Sequence, residues 1–168
     1  MNLRKRIIFE LERLRRKNLQ QLHPLQQLFW ESTLRCNVHC LHCGSDCIAS
    51  VETPDMPAED FLHVIDTDVT PHVDPHKVLI IISGGEPLFQ PEFTREILHL
   101  ADAKGIRCCI ESCGWGDYKH LQSFIPYTEA FLFDWKASDP ELHRRLTGAD
   151  NLLIRENLCK LNADGAAI

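Results

Sequence analysis

Five consecutive apolar residues, Val78-Leu79-Ile80-Ile81-Ile82, run straight into Ser83-Gly84-Gly85-Glu86-Pro87. A strand with no polar face needs cover on both sides, and in soluble chains that points to a parallel sheet flanked by helices. The rest of the chain keeps to this plan. Leu28 to Leu34, Ile106 to Glu111 and Ala130 to Asp134 read as further strands. Pro57 opens a helix presenting Phe61, Leu62, Ile65 and Val69, and Pro91 opens one presenting Phe93, Ile97 and Leu100, each proline standing where a missing N–H costs nothing. Gly105 stops the second of these helices. A last helix carries Leu153, Ile154, Asn157, Leu158 and Leu161 and ends at Gly165, after which Ala166-Ala167-Ile168 reads as the start of a fifth strand. The expectation is an α/β fold with its strands buried on both faces.

A chain of 168 residues, 25% charged and 44% hydrophobic, suits one globular core. Residues 2–18 read as an amphipathic helix, since Leu3, Ile7, Leu11 and Leu14 recur at helical spacing among basic residues. Pro24 separates this extra helix from the first strand, giving an N-terminal segment 1–24 and a core 25–168. The net charge of −6 argues against general nucleic-acid binding. No apolar run approaches the ~18–20 residues of a transmembrane helix, and no continuous apolar stretch follows the basic N-terminus as in a signal peptide. The expected location is therefore the cytoplasm, a reducing compartment where the eight cysteines serve as metal ligands or free thiols rather than disulfides.

Three of those cysteines fall within eight residues, Cys36-Asn37-Val38-His39-Cys40-Leu41-His42-Cys43, just past the first strand. Thiolates are soft ligands suited to iron–sulfur clusters, zinc or Cu(I). A closed zinc site wants four ligands, so Cys47, His39 or His42 would complete it. Four cysteines including Cys47 could instead hold an electron-transfer cluster, although the spacing does not match the ferredoxin pattern. Three thiolates alone would leave one iron of a cubane open to a small-molecule chelate.

The Gly84-Gly85 pair lets the backbone approach a ligand closely, and Glu86 places an acceptor beside it. By itself this is an ordinary tight turn. Glu111-Ser112 ends the third strand and Asp134-Trp135-Lys136 the fourth. Ligands of parallel α/β sheets bind at the carboxyl ends of strands, so all four features fall on one rim. Asp134 and Lys136 stand two residues apart and can face the same side, where they would bind a ligand or simply pair with each other.

The Cys-x3-Cys-x2-Cys spacing of Cys36, Cys40 and Cys43, with a Gly-Gly-Glu-Pro turn after the second strand, resembles the radical S-adenosylmethionine (SAM) superfamily. The resemblance implies a partial, open (β/α) barrel and a [4Fe–4S] cluster on those three cysteines. It also implies SAM chelated at the open iron, with its amino group at Gly84, Gly85 and Glu86 and a ring packed over it from His42. Phe133-Asp134-Trp135-Lys136 through Asp139-Pro140-Glu141-Leu142-His143 to Leu146-Thr147-Gly148 and Asn151 is similar to the activating enzymes of glycyl-radical enzymes. That likeness implies that Asp134 and Lys136 hold SAM and that Glu111 and Ser112 lie near a monovalent cation. It further implies a reduced flavodoxin or ferredoxin as electron donor and a protein substrate. Phe29-Trp30-Glu31-Ser32-Thr33-Leu34-Arg35, Gly44-Ser45-Asp46-Cys47 and Pro54-Asp55-Met56-Pro57 resemble peptide-modifying members instead. Six strands are usual in this fold, so four complete strands and the start of a fifth imply a core incomplete at its C-terminus. The implied activity is reductive cleavage of SAM to a 5′-deoxyadenosyl radical that makes a glycyl radical on a partner. The alternatives are modification of a peptide, or a truncated cluster- or zinc-binding fragment.

Overall fold

The structure is a computed structural model that describes residues 10–15, 18, 27–31, 33–47, 54–71 and 73–168. Residues 10–15 are helical, with Leu11 and Leu14 exposed. Most of the expected N-terminal helix over 2–18 and its boundary at Pro24 lie outside the described residues.

Four parallel strands lie side by side in chain order: β1 (Gln27–Glu31), β2 (Leu79–Ser83), β3 (Arg107–Ser112) and β4 (Ala130–Phe133). Each return to the sheet is made through helix. Helix α1 (Ala58–Val64) continues into a π turn over Ile65–Val69 and precedes β2. Helix α2 (Pro91–Ala103) precedes β3, and α3 (Tyr118–Phe124) precedes β4. Helices α4 (Pro140–Thr147) and α5 (Leu152–Ala163) follow the last strand. The expected start of a fifth strand, Ala166-Ala167-Ile168, is not a strand in the structure, and its one backbone bond to the sheet runs from the Phe131 N–H to the Ala167 carbonyl at 2.8 Å.

The register divides the sheet into two unlike faces. Ile80, Ile82, Cys108, Ile110 and Phe131 point to one side, where they pack with Phe61, Ile65, Ile97, Leu98, Leu121, Phe124 and Leu161 of the helices. The opposite side carries Phe29, Ile81 and Cys109 in one row and Glu31, Ser83, Glu111 and Leu132 in the next. Ile81 and Cys109 are buried, whereas Phe29 is 61% and Leu132 41% exposed. This corrects the expectation that the strands are covered on both sides. Among the described residues the helices pack on one face, and the other is the inner surface of an open barrel, which bears polar side chains near the strand ends.

The π turn keeps Phe61, Ile65 and Val69 on the core side, all at most 3% exposed. Residues four apart drift round an α-helix of 3.6 residues per turn, and the wider winding of a π turn corrects that drift. The Thr70 N–H accordingly reaches back five residues to the Ile65 carbonyl, at 2.9 Å.

Candidate functional site at the strand ends

The carboxyl ends of all four strands open on one cavity of about 310 Å³. Its first wall is the loop leaving β1. Backbone bonds from Gly85 N to the Thr33 carbonyl (2.6 Å) and from Glu86 N to the Arg35 carbonyl (3.0 Å) hold this loop against the turn after β2. Gly84 has φ of +106°, a region that favours glycine. Gly85 is required for a different reason: a Cβ there would stand 2.0 Å from the Arg35 carbonyl oxygen. The turn after β2 and the start of the cysteine loop are thus in direct backbone contact. The Arg35 guanidinium also pairs with the Asp55 carboxylate.

Cys36, Cys40 and Cys43 all line the cavity. Cys36 is buried, Cys40 half-buried and Cys43 exposed. Burial pushes the thiols of Cys36 and Cys40 up, with the Lys136 ammonium opposing this at Cys40. Cys43 is held below the usual thiol range, first by the Cys47 backbone N–H, which donates to its Sγ at 3.3 Å, and also by the amides of Ser45 and Asp46. Asp46 has φ of +50°, and the turn it makes wraps successive N–H groups round the sulfur. Cys47 is 5% exposed and its thiol is pushed up to about 12, chiefly by burial. Among the described residues, no three His, Cys, Asp or Glu side chains gather closely enough to hold a single metal ion. The three thiols line one cavity, as a polynuclear cluster requires, since its irons each take a different thiolate.

The other expected residues reach the same cavity, and the structure shows how each is held. Gly84, Gly85, Glu86, Glu111, Ser112, Asp134, Lys136 and His42 all line it. Glu86 is 1% exposed and its carboxylate is fully engaged. Oε1 accepts from Ser112 Oγ (2.7 Å) and Leu88 N (3.0 Å), and Oε2 accepts from Cys113 N (2.9 Å). Burial raises its pKa, and these donors oppose the rise. Glu86 therefore ties the turn after β2 to the end of β3, and the ligand-facing groups of that turn are its backbone atoms. Ser112 Oγ is likewise turned inward, also accepting from Gly114 N at 2.9 Å. Glu111 accepts from Ser83 Oγ at 2.7 Å. Asp134 and Lys136 pair with each other at the mouth. Burial works against the ammonium of Lys136, but the hydrogen bond and charge of Asp134 outweigh it and raise its pKa.

Sequence reasoning missed several cavity residues. Glu31 and Ser83 belong to the row that contains Glu111, and Glu31 accepts from Ser45 Oγ at 2.8 Å. The period-two alternation at the strand ends carried that signal. Cys113, His143 and Thr147 also line the cavity. The last two lie in the Asp139–Gly148 stretch, whose family likeness was visible without a role attached to either.

With this geometry in view, the chain is a member of the radical SAM superfamily, whose model matches residues 30–163. Among curated proteins it is similar to activating enzymes. It is 39% identical over 85 residues to the (2S)-3-sulfopropanediol dehydratase activating enzyme of Klebsiella oxytoca, covering 51% of this chain and 27% of that protein. It is 32% identical over 125 residues to the indoleacetate decarboxylase activating enzyme of Tractidigestivibacter scatoligenes, covering 74% and 39%. It is 30% identical over 114 residues to the pyruvate formate-lyase-activating enzyme of Clostridium pasteurianum, covering 67% and 47%. The chain thus spans less than half the length of each of these relatives. In fold it is similar to Streptococcus suis SuiB, solved bound to S-adenosylmethionine, with a TM-score of 0.70 at 16% identity over 94% of this chain and 37% of that one.

Proposed function

We propose that this chain holds a [4Fe–4S] cluster on Cys36, Cys40 and Cys43 and S-adenosylmethionine beside it, as the core of an enzyme that makes a glycyl radical on a partner protein. One observation carries this reading: residues from four separate strand ends, including all three cysteines, Gly84, Gly85, Asp134 and Lys136, meet on one cavity. Its volume of about 310 Å³ falls within the range of small-molecule sites. The donor set fits the cluster, because three soft thiols face the cavity and Cys43 is already biased towards thiolate.

The bound group, reduced by a flavodoxin or ferredoxin, supplies the cleavage of S-adenosylmethionine to methionine and a 5′-deoxyadenosyl radical. The protein binds, orients and excludes water. Gly84 and Gly85 offer backbone atoms for the SAM ammonium. Lys136 and Asp134 match the carboxylate and the cationic groups of the same molecule, exchanging their mutual pair for the ligand. His42 would supply a ring at the mouth, and Glu111 an oxygen ligand for a monovalent cation, while Ser112, expected beside it, has its Oγ engaged with Glu86 and Gly114. The partner class rests on the activating enzymes among its relatives. No helix of the described residues is long and apolar enough to cross a membrane. A reducing cytoplasm would preserve the thiols.

Anaerobic reconstitution followed by reduction with SAM tests the proposal. The expected results are a brown protein with roughly four irons per chain, SAM cleavage, and a glycyl radical doublet by electron paramagnetic resonance when a glycyl-radical enzyme is added. Stoichiometric zinc without iron or sulfide would overturn the cluster. SAM cleavage with no glycyl radical across several partners would favour peptide modification.

A further inference from the structure

We propose that His143 and Thr147 are positioning residues for the cysteine loop, acting through the last turn of α4. The inference rests on the cluster assignment above and concerns residues to which it gives no role. The last turn of a helix leaves carbonyls without partners inside the helix. In α4 two of them are used by the cysteine loop: His39 N donates to the Thr147 carbonyl at 2.7 Å, and Leu41 N donates to the Leu146 carbonyl at 2.8 Å. These amides flank Cys40, so the middle of the loop hangs from the end of α4.

That helix end is itself fastened from within. His143 is 2% and Thr147 1% exposed. His143 Nδ1 lies 2.7 Å from the Ala149 carbonyl, and since a carbonyl only accepts, Nδ1 carries the proton. Thr147 Oγ1 lies 2.9 Å from the His143 carbonyl, 3.1 Å from the Ala149 carbonyl and 3.1 Å from Nδ1. It also accepts from Ala149 N at 3.4 Å. Gly148, at φ +82°, makes the left-handed reversal that brings Ala149 back over His143. Ala149 then packs against the small buried cluster formed by Cys36, Val38, Cys47 and Cys113. Two buried polar side chains on a helix face that would ordinarily be apolar thus close a turn whose two outlets are the loop amides and the cavity wall.

The experiment compares wild type with Thr147→Val, Thr147→Ser, His143→Phe and His143→Asn. Asparagine places an N–H near the position of Nδ1, and serine keeps the hydroxyl. Hydrogen exchange of the apo-protein is read at His39 and Leu41, and the midpoint potential and electron paramagnetic resonance line shape of the reduced cluster are read after reconstitution. The Val and Phe variants should exchange these two amides at least tenfold faster, with other sheet amides unchanged, and should shift the potential and line shape. The Ser and Asn variants should restore wild-type behaviour. Val and Phe variants that match wild type in exchange and in the cluster signals would overturn the inference. So would a uniform acceleration across the sheet, which would mark a merely structural role. If wild type takes up no iron, the function proposed above fails, while the exchange comparison still decides this one.

Discussion

At the scale of single residues, the site is built by backbone contact as much as by side chains. Gly85→Ala should be severe, because the new Cβ would meet the Arg35 carbonyl oxygen at 2.0 Å and its carbon at 2.5 Å, and neither belongs to a side chain that can swing away. A loss of about 1–3 kcal/mol or more is expected, read as a lower urea midpoint together with reduced iron uptake. Gly44→Ala is the control, since its Cβ would meet nothing within 4 Å, and it should change stability by no more than about 0.5 kcal/mol. Asp134→Ala and Lys136→Ala should each weaken SAM binding about tenfold or more while iron content holds, as expected for loss of a charge-assisted hydrogen bond of about 1.5–3 kcal/mol. Equilibrium binding to the reconstituted protein checks this. The cavity residues named from motifs were legible because cysteine spacing, a glycine pair and charged strand ends each demand a chemistry. What Glu86 does was not legible, because whether a carboxylate turns towards a ligand or towards three internal donors depends on the neighbouring strand. His143 and Thr147 gave even less signal, since buried polar side chains leave no trace in a hydrophobic pattern.

At the scale of elements, four strands were readable, although β1 ends at Glu31 rather than Leu34 and no strand forms over residues 166–168, and two of the helices were not. Helix α3 buries only Leu121 and Phe124, too few to set a period. Helix α4 has no apolar stripe facing inward, as Leu142 is 43% exposed while His143 and Thr147 are buried. Its start is better marked, by the Asp139 side chain accepting from Leu142 N at 2.7 Å with Pro140 at the first helical position. The junction of α3 with α5 carries a pH prediction. Tyr118 Oη donates to Asp164 Oδ2 at 2.7 Å, and Gln122 Nε2 donates to the same oxygen at 3.0 Å. Burial first, and then Asp164, pushes the Tyr118 hydroxyl up to about 12 from an ordinary value of 10.0. The native state therefore keeps a proton that the unfolded chain has lost. The stabilisation is complete below pH 10.0 and disappears as pH rises towards about 12. Urea melts across that window should show stability falling with pH, with this component absent in Tyr118→Phe. Ultraviolet titration of the native protein should place one tyrosine well above the ordinary range.

At the scale of the whole molecule, the cavity is lined from the ends of all four described strands and from α4, so whatever fills it touches most of the described fold. Anything that binds only the native state adds RT ln(1 + [L]/Kd) to stability. The iron-loaded protein should consequently melt at a higher temperature than the chelator-treated one in anaerobic calorimetry, and Cys36→Ala, Cys40→Ala or Cys43→Ala should erase the difference. Cys47→Ala should largely keep it, because Cys47 lends Cys43 a backbone amide that the substitution retains. Equal melting temperatures would show that the loop is as well fixed empty as filled. The bonds from His39 and Leu41 to the end of α4 also bear on the order in which the protein is made. The cysteine loop is synthesised early, but the carbonyls that receive its amides belong to residues translated much later. Contacts so distant along the chain form late in folding, because the intervening segment must first be closed into a loop. A nascent chain carrying all three cysteines would therefore still lack a finished cradle, and cluster delivery would have to wait for translation to pass α4.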